Sequence, residues 1–309
     1  MSRFLVKLLI FSIFPLISLF GVFLLENGTA DTFYKRVIGE KKKSLVIGTS
    51  KAAQGIVPTV INSKLDLKGE NSLYNFGFTN IHSPFGESYN SAIRKKLCEA
   101  TKDGIFIVTV DAWSLSSSLP DPNNRSLMQD EKLFVGKLSS YSAKINLEYL
   151  LQHYINSYYE IPLRYFAQNS MHLMDDGWLK ATPKIEGDRI KRVYESKVDE
   201  YERRGRSVAF SEYRFNKFIE LIDFLREKGE VYVVLMPVDD AINTIERSIF
   251  PELVEQLYKY CKSIGIPFKD FTVSRTDYTY VDGVHLDYRA APVFSNDLAN
   301  WILEVRNTF

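Results

Sequence analysis

Cysteine is nearly absent from this sequence, with Cys98 and Cys261 the only two in 309 residues. So small a supply excludes a disulfide framework, and the pair stands at no metal-ligand spacing and far from any N-terminal lipid-attachment position. Both read as small buried hydrophobes; whether one disulfide joins them depends on Cα reach, which spacing alone leaves open. An excess of charge is missing too, because 39 Lys and Arg stand against 38 Asp and Glu. Such a balance sets up no global field toward nucleic acid or strongly acidic partners, and nucleic acid is not an expected partner. Internal repeats and low-complexity tracts are absent. No Gly-x-Gly-x-x-Gly follows a strand-like run, and Gly48 to Gly55 lacks the Gly-Lys-Ser/Thr ending of a phosphate-binding loop. Neither a cofactor nor a metal is implied.

What the sequence does have, at its start, is a long apolar run. Leu8 to Leu25 is uninterrupted by charge after Arg3 and Lys7. A run of about 18 apolar residues is long enough to span a bilayer. Residues 1–26 therefore read as a membrane anchor or a signal peptide, since a short basic region before an apolar core is common to both. The length of the run and the poor small-residue site, Gly28-Thr29-Ala30, favour a retained anchor. Charge leaves the orientation undecided: Arg3 and Lys7 precede the run, Lys35, Arg36, Lys41, Lys42 and Lys43 follow it, and the nearer flank Glu26 to Tyr34 has no basic residue. Residues 27–43 read as a polar linker.

The remainder, 44–309, alternates strand and helix signals. Apolar runs without strict alternation occur at Ser44 to Ile47, Ser72 to Phe76, Ile105 to Val110, Val231 to Met236 and Ile266 to Phe268, as expected of strands covered on both faces. Helical patterns fall between them, at Pro58 to Lys64, Tyr89 to Ala100, Tyr213 to Lys228 and Pro251 to Ile264, with another beginning near Ala290. Pro58 suits a first helical turn, where its missing N–H goes unused. This order predicts a parallel sheet with right-handed crossovers in a three-layer α/β/α domain. The interval 119–206 breaks the alternation and reads as an insertion. It holds aromatic-rich Tyr149 to Phe166, then the mixed-charge run Ile185 to Arg206, the pattern of a solvated helix face.

In a parallel sheet ligands bind beyond the carboxyl ends of the strands, so residues after each strand are the candidates for chemistry. Ser50 follows the first strand in Gly48-Thr49-Ser50, on a tight turn into a helix whose free N–H groups face developing charge; a plain helix N-cap is the competing reading. Ala52 stands where the G-x-S-x-G elbow would need glycine. Asp282 lies three residues before His285, a spacing that can set a carboxylate on Nδ1 and leave Nε2 free to take a proton. Asn75 and Gly77 follow the second strand, Asp111 the third, and Asp239 with Asp240 the fourth. Asp111 reads as bonding the neighbouring loops, contacting a substrate hydroxyl, or capping its own loop. Asp239 could touch a polar substrate or start a helix. His82 and Ser83 fall near the same end, while His153 and His172 lie in the insertion, suited to packing or to carbohydrate contact.

Taken in order, Gly48-Thr49-Ser50, Asn75-Phe76-Gly77 and Asp282-x-x-His285 resemble the SGNH (GDSL-type) hydrolases, a superfamily with a flavodoxin-like α/β/α fold. The opening Gly48 to Ile56 is similar to membrane-anchored members that modify extracytoplasmic polymers, such as alginate O-acetylation and teichoic-acid D-alanylation proteins. The resemblance implies Ser50 as nucleophile, His285 as general base and Asp282 as its orienting acid. It implies an oxyanion hole from the N–H groups of Ser50 and Gly77, with Asn75 either as helper or as a strand-end residue bonding the local backbone. It further implies an esterase or O-acyltransferase acting on an ester-bearing or hydroxyl-bearing glycan, with a membrane-bound acyltransferase as partner and the domain on the extracytoplasmic side. A noncatalytic glycan-binding or assembly protein of the same fold is the alternative. The sequence departs from the superfamily at Thr109 to Ser114, where a Gly-x-Asn-Asp segment normally supplies an oxyanion donor and Asp111 stands instead.

Overall fold

Runs of branched and aromatic residues with no polar interruption supply the central sheet, because such runs can be covered on both faces at once. The computed structural model describes residues 2–167, 170–183, 186–273 and 277–308. After α1 (Ser2–Leu24), the chain enters β1 (Ser44–Ile47) and turns into α2 (Ser50–Gly55) and α3 (Pro58–Lys64). Next come β2 (Leu73–Asn75), α4 (Glu87–Lys96) and β3 (Gly104–Val110). A long excursion carries β4 (Ser116–Ser117), α5 (Phe134–Lys137), α6 (Leu147–Gln152) and α7 (Glu160–Tyr165). It continues through β5 (Met171–Leu173), β6 (Leu179–Ala181), α8 (Asp188–Gly205) and β7 (Ala209–Phe210). The chain ends with α9 (Glu212–Arg226), β8 (Gly229–Leu235), α10 (Asp240–Ile249), α11 (Leu253–Ser263), β9 (Phe268–Asp270) and α12 (Ala290–Thr308).

The sheet runs β2-β1-β3-β8-β9 with every pairing parallel, so the α/β expectation holds. Alternate side chains enter two cores. Leu45, Ile47, Phe106 and Val108 face one layer with Tyr89, Ile93, Phe218 and Leu257, while Val46, Ile107, Val234 and Met236 face the other with Ile61, Phe294 and Leu298. Each fully buried side chain of this size stabilises the fold by about 1.5–3 kcal/mol. β1 and α3 lie where the sequence places them. The last strand sits two residues later than expected, since Ile266 and Pro267 belong to the turn leading into it and Val233 donates to the Pro267 carbonyl.

Three sequence expectations need correction. Cys261 is buried, but Cys98 is only half-buried in the turn after α4; both are free thiols. The 27–43 stretch is no loose linker, because Tyr34, Arg36 and Val37 are buried in the main core. Arg36 donates to the carbonyls of Thr32 and Gly177, and burial pushes its guanidinium down to about 10. Polar composition hid this docking, for Asp31 and Glu26 are themselves hydrogen-bonded to Tyr149 and Tyr154. The charged run is helix α8, with Ile185 outside the described residues. One face of it is not solvated, since Tyr201 is buried and Val198 packs beside it.

The excursion between β3 and α9 is closed at its root by the antiparallel pair β4–β7. Its hairpin β5–β6 lies against α2 through Leu173, Leu179 and Ala53, and Trp178 donates to the Gln54 carbonyl. From α8, Tyr201 packs on Trp113, Val238 and Val284. The excursion thus grips the carboxyl end of the sheet from two sides. Because Arg36 is inside the core, trypsin acting on the native full-length protein is expected to spare the Arg36 bond while exposed sites are cut. Cleavage there as fast as at the exposed basic residues of α8 would contradict the docked arrangement.

Candidate active site

Gly48 ends β1 where another side chain would not fit, since a Cβ at this position would lie 1.8 Å from Thr109 Oγ1. Tyr89 closes the turn from α4: its hydroxyl accepts from the Gly48 N–H at 3.0 Å and donates to the Phe76 carbonyl at 2.8 Å. Ser50 then opens α2, half-buried, on a turn whose geometry is fixed on both sides.

The C-terminal loop brings His285 to it. A bridge between Tyr280 and Leu286 folds residues 281–285 into a tight loop, with Gly283 at φ 85° in the left-handed region that glycine tolerates best. The ring of Tyr194 on α8 packs so closely on Gly283 that a Cβ would approach it to 2.9 Å. Within this loop Asp282 accepts from the N–H groups of Val284 and His285, and its Oδ2 lies 2.9 Å from His285 Nδ1. His285 Nε2 lies 2.9 Å from Ser50 Oγ, joining positions 235 residues apart. Burial alone would raise the Asp282 carboxyl, but hydrogen bonding and charge from His285, with the two backbone N–H groups, hold it down at about 2. An ionised Asp282 keeps the proton on Nδ1 and leaves Nε2 to accept the Ser50 hydroxyl proton. Such an arrangement can activate serine toward an acyl carbon.

The candidate oxyanion donors fare differently. The Gly77 N–H donates to Asn75 Oδ1 at 3.0 Å, so it is already spoken for. Asn75 is fully buried, and its amide donates to the carbonyls of Ala52 and Ile56, tying β2 to α2 rather than facing a ligand. The N–H of Ser50, at the first turn of α2, makes no hydrogen bond among the described residues and is the donor left for developing charge.

Asp111 is corrected as a substrate contact. It is buried, accepts from the Thr49 hydroxyl at 2.8 Å and from the Ser114 N–H at 2.7 Å, and lies 3.9 Å from Lys51 Nζ. It therefore both binds the serine turn and caps its own loop. Lys51, next to Ser50 and only 5 % exposed, points inward to Glu246 Oε1 at 2.5 Å. Glu246 also accepts from Trp113 Nε1 at 2.9 Å. Burial raises the Glu246 carboxyl, against the opposing pull of Lys51. The ammonium thus offsets two buried carboxylates beneath the serine turn, and softens the repulsion that Asp111 alone would impose on an oxyanion.

Two further candidates are packing and capping residues. His82 bonds Thr79 through Nδ1 and packs against Phe33 and Phe134, and burial lowers its imidazole to about 4. Asp239 caps α10 by accepting from the Ala241 N–H and also receives the Tyr194 hydroxyl at 2.6 Å. Its own N–H donates to the Gly283 carbonyl, so it braces the histidine loop. His153 and His172 are half-buried at the end of α6 and on β5. Sequence reasoning missed Lys51, Glu246, Tyr89 and Tyr194. Only Lys51, beside the serine, carried a local signal. Among the described residues no cluster suited to a metal ion occurs.

Neither a family model nor a curated protein matches this sequence. Solved structures do show similarity. An aryl esterase from M. smegmatis shares 12 % identity at a TM-score of 0.37, over 85 % of this chain and 99 % of its own. A carbohydrate acetylesterase family member from Sinorhizobium meliloti shares 11 % at 0.39, over 84 % and 97 %. A second carbohydrate acetylesterase from Sinorhizobium meliloti shares 10 % at 0.38, over 86 % and 100 %. Similarity at this level leaves the chemistry to be decided by the side chains themselves.

Two outcomes are expected. Lys51→Met strands Glu246 and Asp111 and should destabilise the protein by about 3–5 kcal/mol in urea unfolding, with Lys51→Met/Glu246→Met recovering part of the loss. Additive losses would mean that the two groups are not coupled. The Asp282 carboxyl is depressed in the folded state, so its contribution is full above the unfolded value near 4 and is lost as pH falls toward 2. In Asp282→Asn the fall in stability across that window should shrink by about 2 kcal/mol. An unchanged profile would separate Asp282 from His285.

Proposed function

We propose that this chain is an SGNH-like serine esterase or O-acyltransferase, held at a membrane by α1 and acting on an exported or cell-envelope polysaccharide. One observation carries the catalytic half of this reading: His285 Nε2 meets Ser50 Oγ at 2.9 Å while Asp282 holds Nδ1. Ser50 attacks the ester carbonyl as His285 takes its proton; the tetrahedral oxyanion faces the Ser50 N–H at the start of α2. Collapse expels the alcohol, which takes the proton back from His285, and leaves an acyl-enzyme on Ser50. Water or a sugar hydroxyl, deprotonated by the same His285, then releases the acyl group.

A polar cleft and the apolar α1 support the substrate half of the reading, although no residue of the Ser50–His285–Asp282 group lines that cleft. A cleft of about 260 Å³ next to Trp113 is lined by Asn80, Ser116, Ser117 and Gln129, polar groups suited to sugar hydroxyls. Among the described residues α1 is the one helix long and apolar enough to cross a bilayer, a property that signal sequences share. Retention is supported by packing, because Phe23 and Glu26 are buried against the body and removal after Ala30 would strip both. A tethered, outward-facing domain fits an acyl donor delivered by a membrane-bound acyltransferase partner.

One observation favours a second reading, a noncatalytic glycan-binding or assembly protein of this fold. The Gly77 N–H is engaged by Asn75, which leaves the oxyanion pocket with fewer donors. A fluorophosphonate probe and a chromogenic acetyl ester separate the two. The full-length protein should label at Ser50 and turn over the ester, with Ser50→Ala abolishing labelling and lowering kcat by about 10³-fold or more. Folded wild type that neither labels nor turns over ester would establish the noncatalytic reading. If a glycan acceptor raises acyl transfer above hydrolysis, the enzyme is a transferase.

A further inference from the structure

The stretch 147–166, made of α6, α7 and the turn between them, divides its side chains between two environments. Tyr149, Leu150 and Ile161 are buried in the core. Leu151, Ile155, Tyr159, Leu163 and Phe166 are exposed instead, Ile155 at 82 %, Leu163 at 64 % and Phe166 at 83 %. A concentration of large apolar groups in water within so short a segment is unusual for a soluble surface.

This segment is fastened to the end of α1. The Phe23 ring meets Tyr158 edge to face at 5.1 Å, Tyr154 donates to Glu26 at 3.0 Å, and Asn156 donates to the Ala30 carbonyl at 2.9 Å. Tyr154 and Tyr158 stack on each other, so the ring pair that grips α1 also carries the exposed residues beside it. α1 itself is suited to lipid: its outward face is apolar, and the Ser12 and Ser18 hydroxyls are satisfied by carbonyls one turn back, although Pro15 offers no N–H to the Phe11 carbonyl. The end of α1 is therefore held beside the stretch that carries the exposed residues.

We infer that the α6–α7 segment is a membrane-contact surface, with Leu151, Ile155, Tyr159, Leu163 and Phe166 seated in the interfacial zone of the same bilayer that α1 crosses. The inference rests on the bilayer reading of α1 in the proposed function. Lipid is the occupant because the exposed residues flank Tyr154, Asn156 and Tyr158, which grip the end of the apolar helix, and their mix of aromatic and aliphatic groups matches interfacial anchoring. Two attachments, one spanning and one lying on the surface, fix the tilt of the domain. The Ser50 site is then held in a set orientation to the membrane and does not swing on a tether.

The test uses full-length protein in phosphatidylcholine–phosphatidylglycerol nanodiscs, in a Cys98→Ala background. Nitroxide labels are placed singly at Ile155, Leu163 and Phe166, with Phe11 on α1 as the lipid control and exposed Tyr258 on α11 as the water control. Collision with oxygen relative to a water-soluble nickel chelate should be about threefold or more higher at the three segment positions than at Tyr258, approaching Phe11. A lipid-like Phe11 with water-like values at Ile155, Leu163 and Phe166 would overturn the inference and leave the anchor intact. Water-like values at Phe11 would remove the anchor reading and the inference with it. Dipolar broadening that disappears on dilution with unlabelled protein would assign the surface to a second copy, which also overturns it.

Discussion

Beneath the Gly48-Thr49-Ser50 turn lies a lysine that has almost no contact with water. Lys51 faces Glu246 and Asp111, and through them reaches the Thr49 hydroxyl and the Trp113 indole. A buried ammonium is costly to desolvate and stays only where carboxylates answer it, so α2, the end of β3 and α10 are obliged to meet at one point. That point is the carboxyl end of the sheet, directly under the serine. Specificity of geometry is what the buried charges supply here, since apolar groups of similar size would stabilise the same space without dictating which turn sits above it.

Around this foundation the site is assembled from distant parts of the chain. Asp239 and Tyr194 brace the histidine loop from α10 and α8, and Tyr89 fastens the serine turn from α4. The excursion that interrupts the alternating order wraps the site, with the β5–β6 hairpin on α2 and α8 over Trp113 and Val284. Its remaining part grips the end of α1, so one inserted segment links the serine turn to the apolar helix.

Much of this was legible in the sequence where a short-range rule operates. Ser44 to Ile47 is a strand because four residues covered on both faces end at a glycine, and Pro58 starts a helix because its lost N–H costs nothing there. The three-residue spacing of Asp282 and His285 allows carboxylate to meet imidazole, whereas Ser50, 235 residues from His285, was joined to them only through the family resemblance. Asn75 and Gly77 mark where local pattern stops short. A strand-end asparagine can face a ligand or turn inward to satisfy helix carbonyls, and only packing decides between them. The Lys51–Glu246 pair spans 195 residues, so local pattern showed only Lys51 beside the serine and not its partner. Docking of 27–43 was hidden because its buried polar groups find partners far along the chain, Asp31 at Tyr149 and Arg36 at the Gly177 carbonyl.

The account turns on Ser50 carrying an acyl group with His285 as its base. Rapid quenching of the protein during reaction with an activated acetyl ester, followed by peptide mass mapping, tests this most directly. Acetyl confined to the Ser50 peptide, formed in a burst in wild type and lost in His285→Ala, is the predicted result. Acetyl spread over surface lysines with no burst, unchanged by His285→Ala, would contradict it.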